Sequence, residues 1–339
     1  MMAERADPFW KDAELEFVAA CPVCGSDASR VQYSCLSDGL EGVPGQWEMR
    51  QCLGCASSYL GERPASHAIG KAYGSYHTHA DPRTEHEGDN GHGVLWRLIN
   101  GYLDHRFGAS RTPSSAMGRW LVPLFLPLRL QLDFFFRHLP QARGRLLDIG
   151  CGNGRFLLRA REAGWQVQGL EPDAKAAQAA GLADIPVHVM GFEGLAGAGE
   201  YDVVTCSHVI EHVHSPDALL QSIRSHLRPG GMLWLATPNV RSLGHRVFRE
   251  NWRGLEPPRH LQVFCIASLR QLLNDAGFED ISFRRRGRGA AYILQSSQAA
   301  VTKPNMIQRL VPVWVIDLLA TFSPHFSEEI VVVARNPEA

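Results

Sequence analysis

The stretch RLLDIGCGNGRFLLRAREAGWQVQGLE, residues 145–171, decides the fold of this chain. Arg145 to Ile149 is a short apolar run with an acid, Asp148, near its end. Gly150-Cys151-Gly152-Asn153-Gly154 follows as a glycine-spaced turn. Phe156, Leu157, Ala160 and Ala163 then recur at helical spacing, and Gly164 stops that helix. Gln166 to Leu170 reads as a second strand with Glu171 at its end. The order strand, glycine turn, helix, strand, acid predicts a unit that cradles an adenosine-bearing ligand at the carboxyl ends of parallel strands.

Charge narrows the ligand. A dinucleotide fingerprint needs a third glycine where Arg155 stands, and the spacing runs instead through Gly154. Asp148, just before the turn, would repel a pyrophosphate but suits a ligand carrying an ammonium and a sulfonium. Glu171 follows Gly150 by 21 residues, a spacing that suits a carboxylate accepting from both ribose hydroxyls. On these residues the sequence resembles the class I S-adenosylmethionine-dependent methyltransferases. LLDIGCGNG is similar to their first motif and GLEPD to their second. The resemblance implies a seven-stranded, mostly parallel, Rossmann-like α/β sheet with an antiparallel last strand. It implies a cofactor cradle of Asp148, Gly150, Cys151, Gly152, Gly154, Glu171 and Pro172. Cys151 is expected to act there as a small packing residue.

Composition sets the frame. Hydrophobic residues make up 45%, charged residues 20%, and the net charge is −1, so no global field attracts nucleic acid. The N-terminus is charged and reads as a polar leader, residues 1–20, rather than a signal peptide. No uncharged apolar run reaches roughly 18 residues, so no membrane span is expected. The default is a cytoplasmic protein, with contact at a membrane surface left open. Cys21, Cys24, Cys52 and Cys55 form two C-x-x-C pairs, which predicts a structural four-cysteine zinc ribbon over residues 21–60. Cys35, between the knuckles, is expected to be a spare buried thiol. Residues 61–118 are expected to form a linker and helical cover. Residues 119–339 form the methyltransferase domain, with insertions at 240–264 and 288–326.

The remaining candidates lie along that domain. Tyr73, Tyr76 and His77 sit in a His-rich, Gly-rich stretch that reads as a polar linker or as a cap on the substrate side. Pro123 and Pro127 interrupt an apolar segment that reads as a packed lid or a membrane-surface element. After the third strand, Pro186 to Met190, Phe192 stands where related enzymes often carry an acid that reads adenine. Phe192 is expected to stack on the base, with Glu193 or a backbone group at its edge. The fourth strand, Tyr201 to Cys206, runs into Ser207-His208-Val209-Ile210-Glu211-His212-Val213. VIEHV resembles the subgroup that includes the ubiquinone-pathway O-methyltransferases. Ser207 and His208 are expected at the cofactor, and Glu211 and His212 at substrate or a cation, or alternatively in loop hydrogen bonds. The N/D-P-P-Y/F signature of base-methylating enzymes is absent from this loop.

The insertion after the fifth strand contains Pro257-Pro258-Arg259-His260-Leu261, and P-R-H-L-x-x-F recurs in the same subgroup. Pro257-Pro258 is expected to hold the backbone extended. His260 is the candidate general base, with His212 as its alternate, and helix capping is its bland reading. Arg284, Arg285, Arg286 and Arg288 read as a solvated edge or a phosphate clamp. Residues 306–322 read as one apolar helix that could meet a lipid or a partner subunit, a second copy included. The expected activity is methyl transfer to a hydroxyl of a small, glycan-linked or lipid-linked acceptor. C-methylation of a nucleotide sugar, or a silent binding module, are the alternatives.

Overall fold

The computed structural model describes residues 9–73, 93–194 and 199–338. Two small sheets precede the main one. Strands β1 (Leu15–Phe17) and β5 (Glu62–Pro64) pair antiparallel. Strands β2 (Ser29–Leu36), β3 (Trp47–Cys52) and β4 (Ser58–Leu60) form an antiparallel meander that carries the cysteine pairs at its turns. Residues 9–20 are therefore no detached leader. Trp10 is buried and packs edge-on against Trp47, and β1 is stitched to β5, because the apolar side chains of this short segment need a core to enter. Cys35 is exposed rather than buried, since it lies on the solvent face of β2.

The main sheet has seven strands: β6 (Arg145–Ile149), β7 (Gln166–Leu170), β8 (Val187–His188), β9 (Tyr201–Ser207), β10 (Leu227–Pro238), β12 (Glu279–Arg284) and β13 (Glu329–Arg335). Its order is β12-β13-β10-β9-β6-β7-β8. β6 pairs parallel with β7 and β9, and β9 with β10, while β13 runs antiparallel to both its neighbours. Central strands read as continuous apolar runs because helices cover both faces. Ile330 to Ala334 on β13 are buried along their whole length. Each such side chain contributes about 1.5–3 kcal/mol by leaving water. β8 is shorter than Pro186–Met190 because it is an edge with one partner.

A further strand, β11 (Gln262–Val263), does not join this sheet. It extends the cysteine-bearing sheet by pairing antiparallel with β4, Gln262 opposite Tyr59 and Val263 opposite Ser58. The insertion after β10 is thereby tied to the N-terminal module.

The helical segments differ from expectation at their prolines. The helix Val94–Phe107 lies within the expected helical cover and ends at Gly108 in the left-handed region. Residues 306–322 form two helices rather than one, Met306–Leu310 and Val313–Phe322. Pro312 supplies no amide hydrogen to continue the first and caps the second. Tyr76 and His77 lie outside the described residues.

Candidate active site

The glycine turn lies at the carboxyl end of β6. Gly150, Gly152 and Gly154 all have positive φ, at 67°, 53° and 80°. A Cβ on Gly150 would come within 2.3 Å of Val209 Cγ2, so this turn and the loop after β9 touch across the cleft. Only glycine permits both the backbone angle and the approach. Cys151 is buried in the turn, against the backbone of Gly169 on β7. Glu171 accepts from the Gly152 amide at 2.8 Å and the Asp173 amide at 3.0 Å. Pro172 is exposed beside it. Phe192 packs partly buried against the core, and Glu193 is exposed.

Asp148 is fully buried. One carboxylate oxygen accepts from Arg137 Nη1 and, at 2.9 Å, from Thr205 Oγ1. The other oxygen is buried without a hydrogen-bond partner. Arg137, in the left-handed region, also stacks 3.8 Å over Phe156. The cation that Asp148 calls for is thus supplied by the chain itself. Burial raises the pKa of Asp148, with Arg137 and Thr205 opposing. Burial likewise raises Glu171, against the two backbone donors. Burial is the larger influence on both carboxyls, with Arg137 beside Asp148 and two backbone amides on Glu171.

The loop after β9 holds the second set. Ser207 ends that strand, and His208 follows with φ 54°, a conformation costing a non-glycine residue about 1–3 kcal/mol. His208 bridges Glu211 Oε1 at 3.2 Å and Glu329 Oε1 at 2.8 Å. Burial opposes charge on this ring, but the two carboxylates prevail and hold it at about 10. Glu211 is fully buried and also accepts from Thr237 Oγ1 at 2.9 Å. Burial works against its charge, and the His208 contact overcomes it, leaving Glu211 at about 2.

His212 and His260 meet at a ring separation of 4.7 Å. His212 Nδ1 lies 3.0 Å from the Arg259 carbonyl and 3.0 Å from Tyr73 Oη. His260 is buried, and its Nδ1 donates to the Gly254 carbonyl at 2.8 Å, which leaves Nε2 as the bare nitrogen. That nitrogen faces Glu256 Oε2 at 3.4 Å. Burial lowers the His260 pKa to about 4, against the pull of Glu256. Ligand atoms of Glu211, His212 and His260 all lie within 4.8 Å of one another. Such a group can pass a proton or hold a cation.

Arg259 explains how the two modules share this site. It is fully buried and makes a two-pronged pair with Asp38, both contacts at 2.9 Å, plus one with Glu256 at 2.8 Å. Leu261 N donates to Glu211 O at 2.8 Å, and Leu60 N donates to Leu261 O at 3.0 Å. One short segment therefore spans from the cysteine module to the loop after β9. Pro257-Pro258 forms a turn with a cis bond rather than an extended run. The arginine cluster does not act as one clamp: Arg286 is buried on Glu329 at 2.9 Å, and Arg288 reaches Gln131. Asp38, Arg137, Glu256 and Glu329 were missed from sequence. The acid pair Glu328-Glu329 opening an otherwise apolar strand was the available signal.

The four cysteine sulfurs gather within 4.8 Å of one another, with Cys21–Cys55 at 3.7 Å and Cys24–Cys52 at 3.5 Å. These separations are too long for disulfides and match the roughly 3.8 Å edge of a tetrahedron with metal–sulfur bonds near 2.3 Å. The set fits zinc, with all four positions filled by the chain.

Sheet order, glycine turn and the acid after β7 agree with the class I S-adenosylmethionine-dependent methyltransferase domain that the sequence resembles. Residues 125–282 match the family described as a methyltransferase domain. The ubiquinone biosynthesis O-methyltransferase of Xanthomonas axonopodis pv. citri is 33% identical over 125 residues, 34% of this chain and 52% of that one. Its counterpart from Aromatoleum aromaticum is 35% identical over 118 residues, 32% of this chain and 50% of the other. The chain thus spans about half the length of these curated relatives. A solved S-adenosylmethionine-dependent methyltransferase from Mesorhizobium loti is 17% identical, with 61% of this chain and 97% of that chain covered at a TM-score of 0.41.

Proposed function

We propose that this protein methylates a hydroxyl of a small, glycan-linked or lipid-linked acceptor by direct in-line displacement. When bound, S-adenosylmethionine supplies the methyl group on its sulfonium. The gathering of Glu211, His212 and His260 beside the glycine turn carries this reading. Glu171 and the amides of the turn hold the adenosine portion, with Phe192 and Glu193 at the base and Ser207 and His208 lining the floor. Asp148, paired with Arg137 through one oxygen, offers its unpartnered second oxygen to the cofactor's positive end. His260 takes the acceptor proton at Nε2, its tautomer fixed by the Gly254 carbonyl, and Glu256 steadies the imidazolium that forms. His212 is the alternate base. The cysteine module holds structural zinc and supports Arg259.

The hydroxyl acceptor class agrees with the O-methyltransferase names of the ubiquinone-pathway relatives. Calorimetry with S-adenosylmethionine, followed by methyl transfer to candidate acceptors, tests the proposal. His260→Ala should cut turnover about 10²–10⁴-fold while sparing cofactor affinity. Tight cofactor binding with no turnover on any acceptor would favour a silent module. A product methylated at carbon would favour the nucleotide-sugar alternative.

A further inference from the structure

Most of the molecule's exposed large apolar side chains fall in two segments. One is 117–125, with Trp120 68%, Leu124 80% and Phe125 54% exposed. The other is 306–322, with Trp314 67%, Leu318 44% and Phe322 67% exposed. Trp314, Leu318 and Phe322 recur every four residues and form one outward stripe, while Ile316 and Ala320 face inward. Met306, Ile307 and Leu310 extend the same segment.

The two segments are neighbours. The helix Leu126–Phe135, which continues the first, packs on Val313–Phe322, and Arg288 reaches across to Gln131 at 3.4 Å. So much contiguous apolar surface on a water-facing side marks a docking site. Its charge says what docks. Apart from Arg286, which is buried on Glu329, residues 281–327 carry Arg284, Arg285, Arg288, Lys303 and Arg309 against one acid, Asp317, in a chain whose net charge is −1. Asp317 is turned inward to the Ala290 amide. Exposed Arg119 stacks over Trp120 at 5.0 Å, and Lys303 and Arg309 are exposed beside the second stripe. Aromatic and aliphatic side chains rimmed by cations are what the boundary of an anionic bilayer selects. A second copy would set this positive face against itself, since a two-fold contact repeats the same patch. Among the described residues no helix is long and apolar enough to cross a membrane, so the contact is peripheral.

We infer that segments 117–125 and 306–322 form a peripheral docking face for an anionic lipid surface. The face shares no residue with the proposed base and cofactor sets, so vesicle binding tests it without reference to turnover.

Co-sedimentation of the full chain with vesicles tests it. Phosphatidylcholine vesicles containing about a third phosphatidylglycerol should capture the protein, and binding should weaken as salt rises. Pure phosphatidylcholine should capture it at least about tenfold less well. Trp120→Asp with Trp314→Asp should weaken capture by about tenfold or more, whereas Phe17→Asp, at an exposed apolar residue on β1, should not. Quenching of wild-type tryptophan fluorescence by brominated lipid gives a second reading that needs no variant. Failure to bind anionic vesicles would overturn the inference. So would equal binding to both vesicle types, or a stable dimer that shields Trp314 from quencher.

Discussion

The two ends of the cleft treat their carboxylates in opposite ways. At the glycine turn, burial raises both Asp148 and Glu171, and one Asp148 oxygen has no partner. Across the cleft, Glu211, Glu256 and Glu329 are likewise largely buried, yet each is held at about 2. The difference lies in their neighbours. His208 serves Glu211 and Glu329, Arg286 also serves Glu329, and His260, Arg253 and Arg259 surround Glu256. The glycine-turn end relies on Arg137 and backbone amides, whereas the other end is ringed by several cationic side chains.

The contrast can be broken at several points. Removing metal should have the largest effect, because structural zinc supplies about 10–16 kcal/mol of folding free energy in small modules. A strong chelator, or Cys24→Ser, should collapse the thermal transition and release β11 together with the catalytic loop. Full turnover after verified metal loss would sink that coupling. Asp38→Ala leaves Arg259 buried with one partner fewer and should cost about 3–5 kcal/mol by denaturant titration. Asp148→Asn should weaken S-adenosylmethionine by about tenfold or more, through loss of ~1.5–3 kcal/mol of charge-assisted bonding. Calorimetry would read this directly, and unchanged affinity would remove Asp148 from the cofactor's field.

Arg137→Leu probes the same pocket from the other side. It should lower the melting temperature and enlarge the gain in melting temperature on adding S-adenosylmethionine, since the ligand's charge would then meet an uncompensated acid. The smallest effect is in pH. His208 is raised to about 10, so its contribution is complete below about 6.5 and fades as pH climbs through 10. The three depressed glutamates contribute above their ordinary range and lose that contribution as pH falls towards 2. Asp148 and Glu171 act with the opposite sign, gaining stability when protonated. Melting temperatures across pH should therefore decline on the alkaline side, and His208→Gln should flatten that limb.

Local pattern carried much of the fold. β6 and β7 fall on the residues that the apolar pattern assigned them, because buried strands in a covered sheet must be apolar throughout. The cysteine spacing likewise foretold a four-sulfur cluster. What escaped was long-range pairing. Asp38 and Arg259 stand 221 residues apart, and nothing in either neighbourhood names the other. Arg137 sits in a run of aromatics whose spacing says only that a helix is near. The joining of β11 to β4 was hidden because a two-residue strand has too few positions to show a period.

That junction has an evolutionary corollary. A domain that lends a strand to its neighbour cannot be traded as a cassette. Grafting the cysteine module onto another enzyme would leave a stranded guanidinium here and β4 with a raw edge there. Lineages that keep the P-R-H-L segment in this form should therefore inherit the module with it, and should lose both together.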